Sequence, residues 1–187
     1  MRAFVAIPLP GDFSDWLQHN RTSFASIIPT LRLVPAASCH ITLRFLGELP
    51  DEQVNDAIGR LTGSLSTLPG TRVALDRFDV FRRDGHPTVL WVGASVVPQA
   101  LIDLATIAGL SLSGLGNNKR TDHFAPHVTL GRFVSGTRDD EVAALGAGSP
   151  EPYVVPVMDV VLYESKVGQG HPVYTARAAV RLAPFAE

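Results

Sequence analysis

Two histidines in this chain, His40 and His127, each stand two residues before a threonine and three before a leucine. The segments are Cys39-His40-Ile41-Thr42-Leu43 in the first half and Pro126-His127-Val128-Thr129-Leu130 in the second. In an extended strand successive side chains point to opposite faces, so each His shares a face with its Thr, and the aliphatic residues take the other. The polar pair then faces a cavity and the apolar pair a core. If the two halves are related by an approximate two-fold, two imidazoles and two hydroxyls meet in one cleft, a set suited to acid-base chemistry on a phosphate. Cleaving a phosphodiester needs a base for the proton of the attacking oxygen and an acid for the leaving oxygen, on opposite sides of phosphorus. With an unperturbed pKa of about 6.5, one imidazole can be neutral and the other protonated near neutral pH, so no metal is needed to generate the nucleophile. Thr42 and Thr129 offer hydroxyl donors to the non-bridging oxygens, whose charge must be stabilised. Arg132, five residues after His127, has the parity of the other face and reaches the site only if the strand ends or bulges near Gly131.

Read singly, a histidine on a strand is more often structural than catalytic, and a threonine is a good strand former. The matched Thr and Leu positions reverse that preference, because coincidence would have to supply all of them. His123 and His127 have the i, i+4 spacing of helical metal ligands, but Pro126 between them disfavours a helix. No Asp-Glu-His set nearby completes a metal site, so neither a metal nor another cofactor is expected. By parity Arg44 shares a face with Thr42, as a substrate contact or a rim ion pair. Phe45 falls on the opposite face and reads as core rather than as a platform for a base. His86, beside Arg82 and Arg83, would face a substrate only if its turn lies at the cleft mouth.

The elements that must hold these residues read as paired α+β units. Residues 2 to 8 form a strand and 13 to 28 a helix bearing Trp16, Leu17, Phe24 and Ile27. Asp51 is an N-cap candidate after Pro50, opening a helix through Val54, Ile58, Leu61 and Leu65. Residues 71 to 81 and 88 to 95 read as a strand hairpin around Arg83-Asp84-Gly85-His86-Pro87. Leu101, Leu104, Ala105, Ala108 and Leu112 give helical spacing from about Pro98 to Leu115, with Gly116 as terminator. Thr137 and Asp140 resemble a capping arrangement for a helix through Ala147, and residues 153 to 163 and 172 to 182 read as closing strands. Glycines and prolines are scattered as punctuation, with no linker or low-complexity segment.

Composition fits one globular unit of 187 residues with 45% apolar content. A net charge of −2 argues against gripping long duplex nucleic acid through many phosphate contacts and favours recognition of an end. Cys39 is the sole cysteine, so an intramolecular disulfide and a thiolate metal cluster are both excluded. The N-terminus lacks a signal-peptide pattern, and no apolar run approaches the roughly 20 residues that span a bilayer. A cytoplasmic protein without a membrane association or an obligate protein partner is the expectation.

Over nearly its whole length the sequence closely resembles the two-histidine (2H) phosphoesterases, in particular the bacterial and archaeal RNA 2′,3′-cyclic phosphodiesterases, historically called 2′-5′ RNA ligases. The resemblance lies in Arg2-Ala3-Phe4-Val5-Ala6-Ile7-Pro8, Leu33-Val34-Pro35, the extended motif His40 to Glu48, Phe81-Arg82-Arg83, Val89 to Gly93, Phe124 to Arg132 and Leu162-Tyr163-Glu164-Ser165. It implies a bilobal, LigT-like α+β fold over residues 1–187 as a single domain. Two pseudo-symmetric antiparallel sheets would carry outer helices and enclose a central, metal-independent cleft. It also implies that His40 is the general acid toward the leaving 3′ oxygen and His127 the general base toward water, with Thr42, Thr129 and Arg132 binding the phosphate. The substrate would be an RNA end bearing a 2′,3′-cyclic phosphate, or a small cyclic nucleotide. Run toward joining, the same site would link a 5′-hydroxyl to the cyclic end by a 2′-5′ bond. A nucleotide- or RNA-binding module with little turnover is the alternative of a different class.

Overall fold

The computed structural model describes residues 1–28, 31–117, 124–134, 137, 140–142, 150–168 and 171–185, apart from the side chains of 21–27. In chain order the elements are β1 (Arg2–Pro8), α1 (Phe13–Ile27), β2 (Arg32–Leu33), a 3₁₀ turn (Ala36–Ser38), β3 (His40–Glu48) and α2 (Asp51–Leu65). There follow β4 (Thr71–Leu75), β5 (Arg77–Arg83), β6 (His86–Gly93), α3 (Gln99–Ser111), β7 (His127–Arg132), β8 (Tyr153–Val157), β9 (Asp159–Lys166) and β10 (Val173–Arg181).

Eight strands make one antiparallel sheet in the order β10-β9-β1-β3-β7-β6-β5, with β2 alongside β7, while β4 and β8 form a separate antiparallel pair. The two halves that carry the repeated motif thus meet edge to edge through β3 and β7. One face of the sheet is core. Val5, Ile7, Ile41, Leu90, Val92, Val128 and Leu162 are fully buried there, in one cluster with Leu61 and Leu65 of α2 and Leu101, Leu104 and Ala108 of α3. Those helical residues recur three or four apart, which gives each helix one apolar stripe to lay on the sheet. The opposite face carries the histidines.

Several boundaries differ from the sequence expectation for local reasons. Pro50, extended at ψ 147°, takes the cap position of α2 without a side-chain cap bond, so Asp51 is the first helical residue rather than the N-cap. Its carboxylate stands 3.9 Å from the Met1 amino group. The run 71 to 81 breaks at Asp76, whose N–H donates to the Gly93 carbonyl while its carboxylate accepts from the Ser95 N–H and hydroxyl. β4 therefore leaves the large sheet to pair with β8, and only β5 forms the hairpin with β6. The run 153 to 163 breaks similarly at Met158, whose carbonyl accepts the Leu182 N–H. The hairpin turn has positive φ at both Asp84 and Gly85, the Asp-Gly two-residue geometry that matches strand twist. α3 stops at Ser111, before Gly116. Gly116, at φ 65°, lets Asn117 donate to the Leu46 carbonyl, and a Cβ there would lie 2.2 Å from that oxygen. The helix expected from Thr137 to Ala147 falls mostly outside the described residues.

Candidate active site

The centre of the site is one residue pair. Ile41 faces Val128 where antiparallel β3 and β7 meet, which sets His40 across from Thr129 and Thr42 across from His127. The local two-fold passes through that pair, so the repeated motif folds back on itself and brings both histidines and both threonines onto one face. The apolar residues of the motif are buried on the other face, Ile41 and Val128 completely.

Each imidazole is fixed in the same way. His40 Nδ1 lies 2.8 Å from the Ser38 carbonyl, and His127 Nδ1 lies 2.8 Å from the Ala125 carbonyl, in both cases two residues upstream. A carbonyl only accepts, so Nδ1 carries the proton in each ring, and Nε2 is the atom left for chemistry. Aromatic rings hold the orientation. Phe4 lies 4.8 Å from His40 between ring centroids and is stacked by Tyr163, while Trp91 lies 5.8 Å from His127 and is stacked by Phe81. Tyr174 meets His40 edge-on at 5.2 Å, and Phe81 meets His127 edge-on at 4.8 Å. Burial lowers the pKa of both histidines, opposed by the bonds to Ser38 and Ala125, and the charge of His127 lowers that of His40 further. The two imidazoles therefore titrate as a coupled pair, a proton on one disfavouring a proton on the other. Cys39 is buried in the core cluster, its Sγ near the Thr129 carbonyl and its thiol pushed up to about 12 by burial, so it is an inert packing group rather than a nucleophile.

Two matched bulges decide which further residues join this face. On β7, Gly131 pairs with Leu90 and Thr129 with Trp91, leaving Leu130 as the extra residue. Arg132, opposite Val89, is thereby returned to the face of His127 and Thr129, as the condition on Gly131 required. No described residue makes a hydrogen bond or ion pair with its guanidinium. On β3, Arg44 pairs with Val5 and Thr42 with Ala6, leaving Leu43 as the extra residue. Leu43 and Leu130 are the equivalent leucines of the two motifs, and both are buried.

The β3 bulge overturns two expectations. Arg44 is turned onto the face of Val5, away from Thr42. Phe45, opposite Phe4, is returned to the histidine face, where it is 56% exposed with its ring 6.1 Å from Phe4. An exposed ring offers a flat apolar face on which another ring can stack. Strand parity alone hid it, although the repeat held a clue: Phe45 occupies in the first motif the place that Arg132 occupies in the second. The histidine face thus gains Phe45 from the strand of His40 and Arg132 from the strand of His127. His123 lies outside the described residues, so its spacing from His127 has no structural counterpart here. An apolar cavity of about 300 Å³ lies elsewhere, between α3 and Leu68, and includes none of the site residues.

Comparison with known proteins bears on the fold that carries this site. The family model described as "2'-5' RNA ligase superfamily" matches residues 14–169. A relative from Escherichia coli named "RNA 2',3'-cyclic phosphodiesterase" is 31% identical over 176 residues, covering 93% of this chain and 92% of that protein. A solved structure titled "Crystal structure of phosphoesterase" superposes with a TM-score of 0.78 at 30% identity, covering 97% of both chains. The E. coli LigT structure complexed with 3'-AMP gives 0.74 at 28% identity, again covering 97% of both. The α+β, LigT-like architecture is therefore shared along almost the whole chain, and the protein belongs to the 2′-5′ RNA ligase superfamily of two-histidine phosphoesterases.

Proposed function

We propose that this protein is an RNA 2′,3′-cyclic phosphodiesterase that opens a terminal cyclic phosphate to a 2′-phosphomonoester by two-histidine acid-base catalysis. The observation supporting this reading is the duplicated imidazole. Two rings, each with Nδ1 tied to its own upstream carbonyl, keep two Nε2 atoms for two proton transfers across one strand pair. A water oxygen attacks phosphorus as His127 Nε2 takes its proton. The bond from phosphorus to the 3′ oxygen breaks, and His40 delivers its Nε2 proton to that oxygen. The product is a 2′-phosphate with a free 3′-hydroxyl, and exchange with solvent restores both protonation states. The choice of His40 as acid and His127 as base follows the family pattern. Thr42, Thr129 and Arg132 supply donors to the non-bridging oxygens, where charge must be met in the transition state. Neither proton transfer needs a metal. A 5′-hydroxyl in place of water would give a 2′-5′ bond, which is the ligase side of the same chemistry.

In this reading residues 1–187 act as one catalytic unit in the cytoplasm, on RNA ends or small cyclic nucleotides, with no obligate protein partner. Among the described residues no helix is long and apolar enough to cross a membrane. The deciding experiment incubates the protein, with and without a chelator, with short RNAs ending in 2′,3′-cyclic phosphate. Mass and linkage of the product are then read. A 2′-phosphate formed equally with the chelator is expected. Tight binding of the cyclic end without turnover would point to a binding module, and loss of activity restored by a divalent ion would defeat the metal-free mechanism.

A further inference from the structure

The histidine face carries a second group of donors that the reaction at His40 and His127 does not use. In the register of β1 with β9, Ala3 lies opposite Glu164 and Phe4 opposite Tyr163. In that of β9 with β10, Tyr163 lies opposite Ala176 and Ser165 opposite Tyr174. These pairings line up Phe4, Tyr163 and Ala176 in one row across three strands; Ser165 and Tyr174 pair in the next row on the same face, and Arg2, one residue past the last β1–β9 pair, extends that row. Phe4 packs beside His40, so both rows belong to the histidine side of the sheet. Tyr174 joins the second row to the site, with its ring edge-on to His40 at 5.2 Å and to Phe4 at 5.0 Å.

A guanidinium, an aliphatic hydroxyl and a phenol are all hydrogen-bond donors. No described residue engages Arg2 or the hydroxyls of Ser165 and Tyr174. Glu48 stands opposite Arg2 on β3, yet the two form no ion pair. The positive charges of Arg132 and Arg2 both reach the Tyr174 phenol, which burial keeps protonated and therefore donating. A row of free donors under positive charge is built for an anion, since charge-assisted bonds to phosphate are the strong ones. Its position suits one anion in particular. Phe45 lies opposite Phe4, one row from Arg2. In the cyclic-phosphate reading, with the base on Phe45 and the cyclic phosphate at the histidines, the 5′ phosphate is the anionic group of the terminal nucleotide still without a partner. This row is the donor group on the same face still without a use.

We propose that Arg2, Ser165 and Tyr174 form a second anion subsite, which takes the phosphate on the 5′ side of the terminal nucleotide. The proposal rests on the cyclic-phosphate reading and adds a specificity to it: the protein favours an end that continues into a phosphodiester over a free cyclic nucleoside phosphate. The test compares two adenosine 2′,3′-cyclic phosphates that differ only in a 5′-hydroxyl or a 5′-phosphate. The 5′-phosphate should raise kcat/KM by at least about tenfold, within the reach of a charge-assisted contact, and the gain should appear mainly in KM. Arg2→Gln and Tyr174→Phe, the latter keeping the ring against His40, should each bring the ratio of the two substrates close to one. A wild-type ratio near one, or variants that leave the ratio unchanged, would overturn the subsite. If neither substrate is hydrolysed, the assay on cyclic-ended RNA decides the cyclic-phosphate reading, and binding alone decides the subsite. Adenosine 3′,5′-bisphosphate should then bind more tightly than adenosine 3′-phosphate in the wild type but not in Arg2→Gln, and equal affinities in the wild type would overturn it.

Discussion

In the proposed mechanism, replacing His127 with alanine removes both a proton-transfer group and a positive charge that acts on His40, and the two losses have separate readouts. The first is kinetic. A positioned general acid or base is worth about 10² to 10⁴ in rate, so the low end alone raises the barrier by about 2.7 kcal/mol at about 1.36 kcal/mol per decade. His40→Ala should cost a similar factor, because its Nε2 is held for the other proton by an equivalent bond to Ser38. The double variant should fall by much less than the product of the two, since each proton transfer is useless without its partner. The second readout is electrostatic. Burial and the charge of His127 both lower the His40 pKa, against the bond to Ser38. Without His127 one lowering cause disappears and the His40 pKa must rise. It stays below the ordinary value because burial outweighs the Ser38 bond. Single-turnover hydrolysis of a cyclic-ended RNA gives the first quantity, and NMR titration of the His40 ring in His127→Ala gives the second. Near-wild-type turnover in either single variant would refute the shared mechanism. A His40 titration unmoved by the loss of His127 would refute the coupled geometry even if activity fell.

Further expectations follow from the same geometry. Both histidines have lowered pKa values in the folded protein, so the unfolded chain binds protons first as pH falls; stability should drop below about pH 6.5 and level off once the folded pKa values are passed, and urea titrations should show that drop shrinking in His40→Ala. The pH profile of kcat/KM should be bell-shaped with limbs belonging to the pair, and a flat profile with chemistry rate-limiting would contradict the acid-base assignment. Phe45→Ala removes an exposed ring, so thermal unfolding should move little while KM for cyclic-ended RNA rises by the equivalent of about 1 to 3 kcal/mol of base stacking; an unchanged KM would remove Phe45 from the nucleotide site. Gly116→Ala combines a positive φ with a Cβ 2.2 Å from the Leu46 carbonyl, and should destabilise by about 1 kcal/mol or more, read as a lower urea midpoint with an unchanged slope.

What the sequence determined by itself was the residue set of the candidate site and the pairing of its parts. The repeated His-x-Thr-Leu fixed two imidazoles and two hydroxyls on matching strand faces, because side-chain alternation is a local property of extended backbone. The helices of α2 and α3 were legible for the same reason, through apolar residues at helical spacing. Tertiary structure decided everything that depends on which strand lies alongside. Whether Arg132 reaches the site, and whether Phe45 or Arg44 does, turns on the single unpaired residues Leu130 and Leu43. A bulge exists only relative to a partner strand, so β1 and β6 had to be in place before the parity of β3 and β7 could be read. The departure of β4 from the sheet follows from Asp76 capturing Ser95, and the row of Arg2, Ser165 and Tyr174 from three strands far apart in the chain. Alternation assigns a residue to a face, but only hydrogen-bonded register tells it which neighbours share that face.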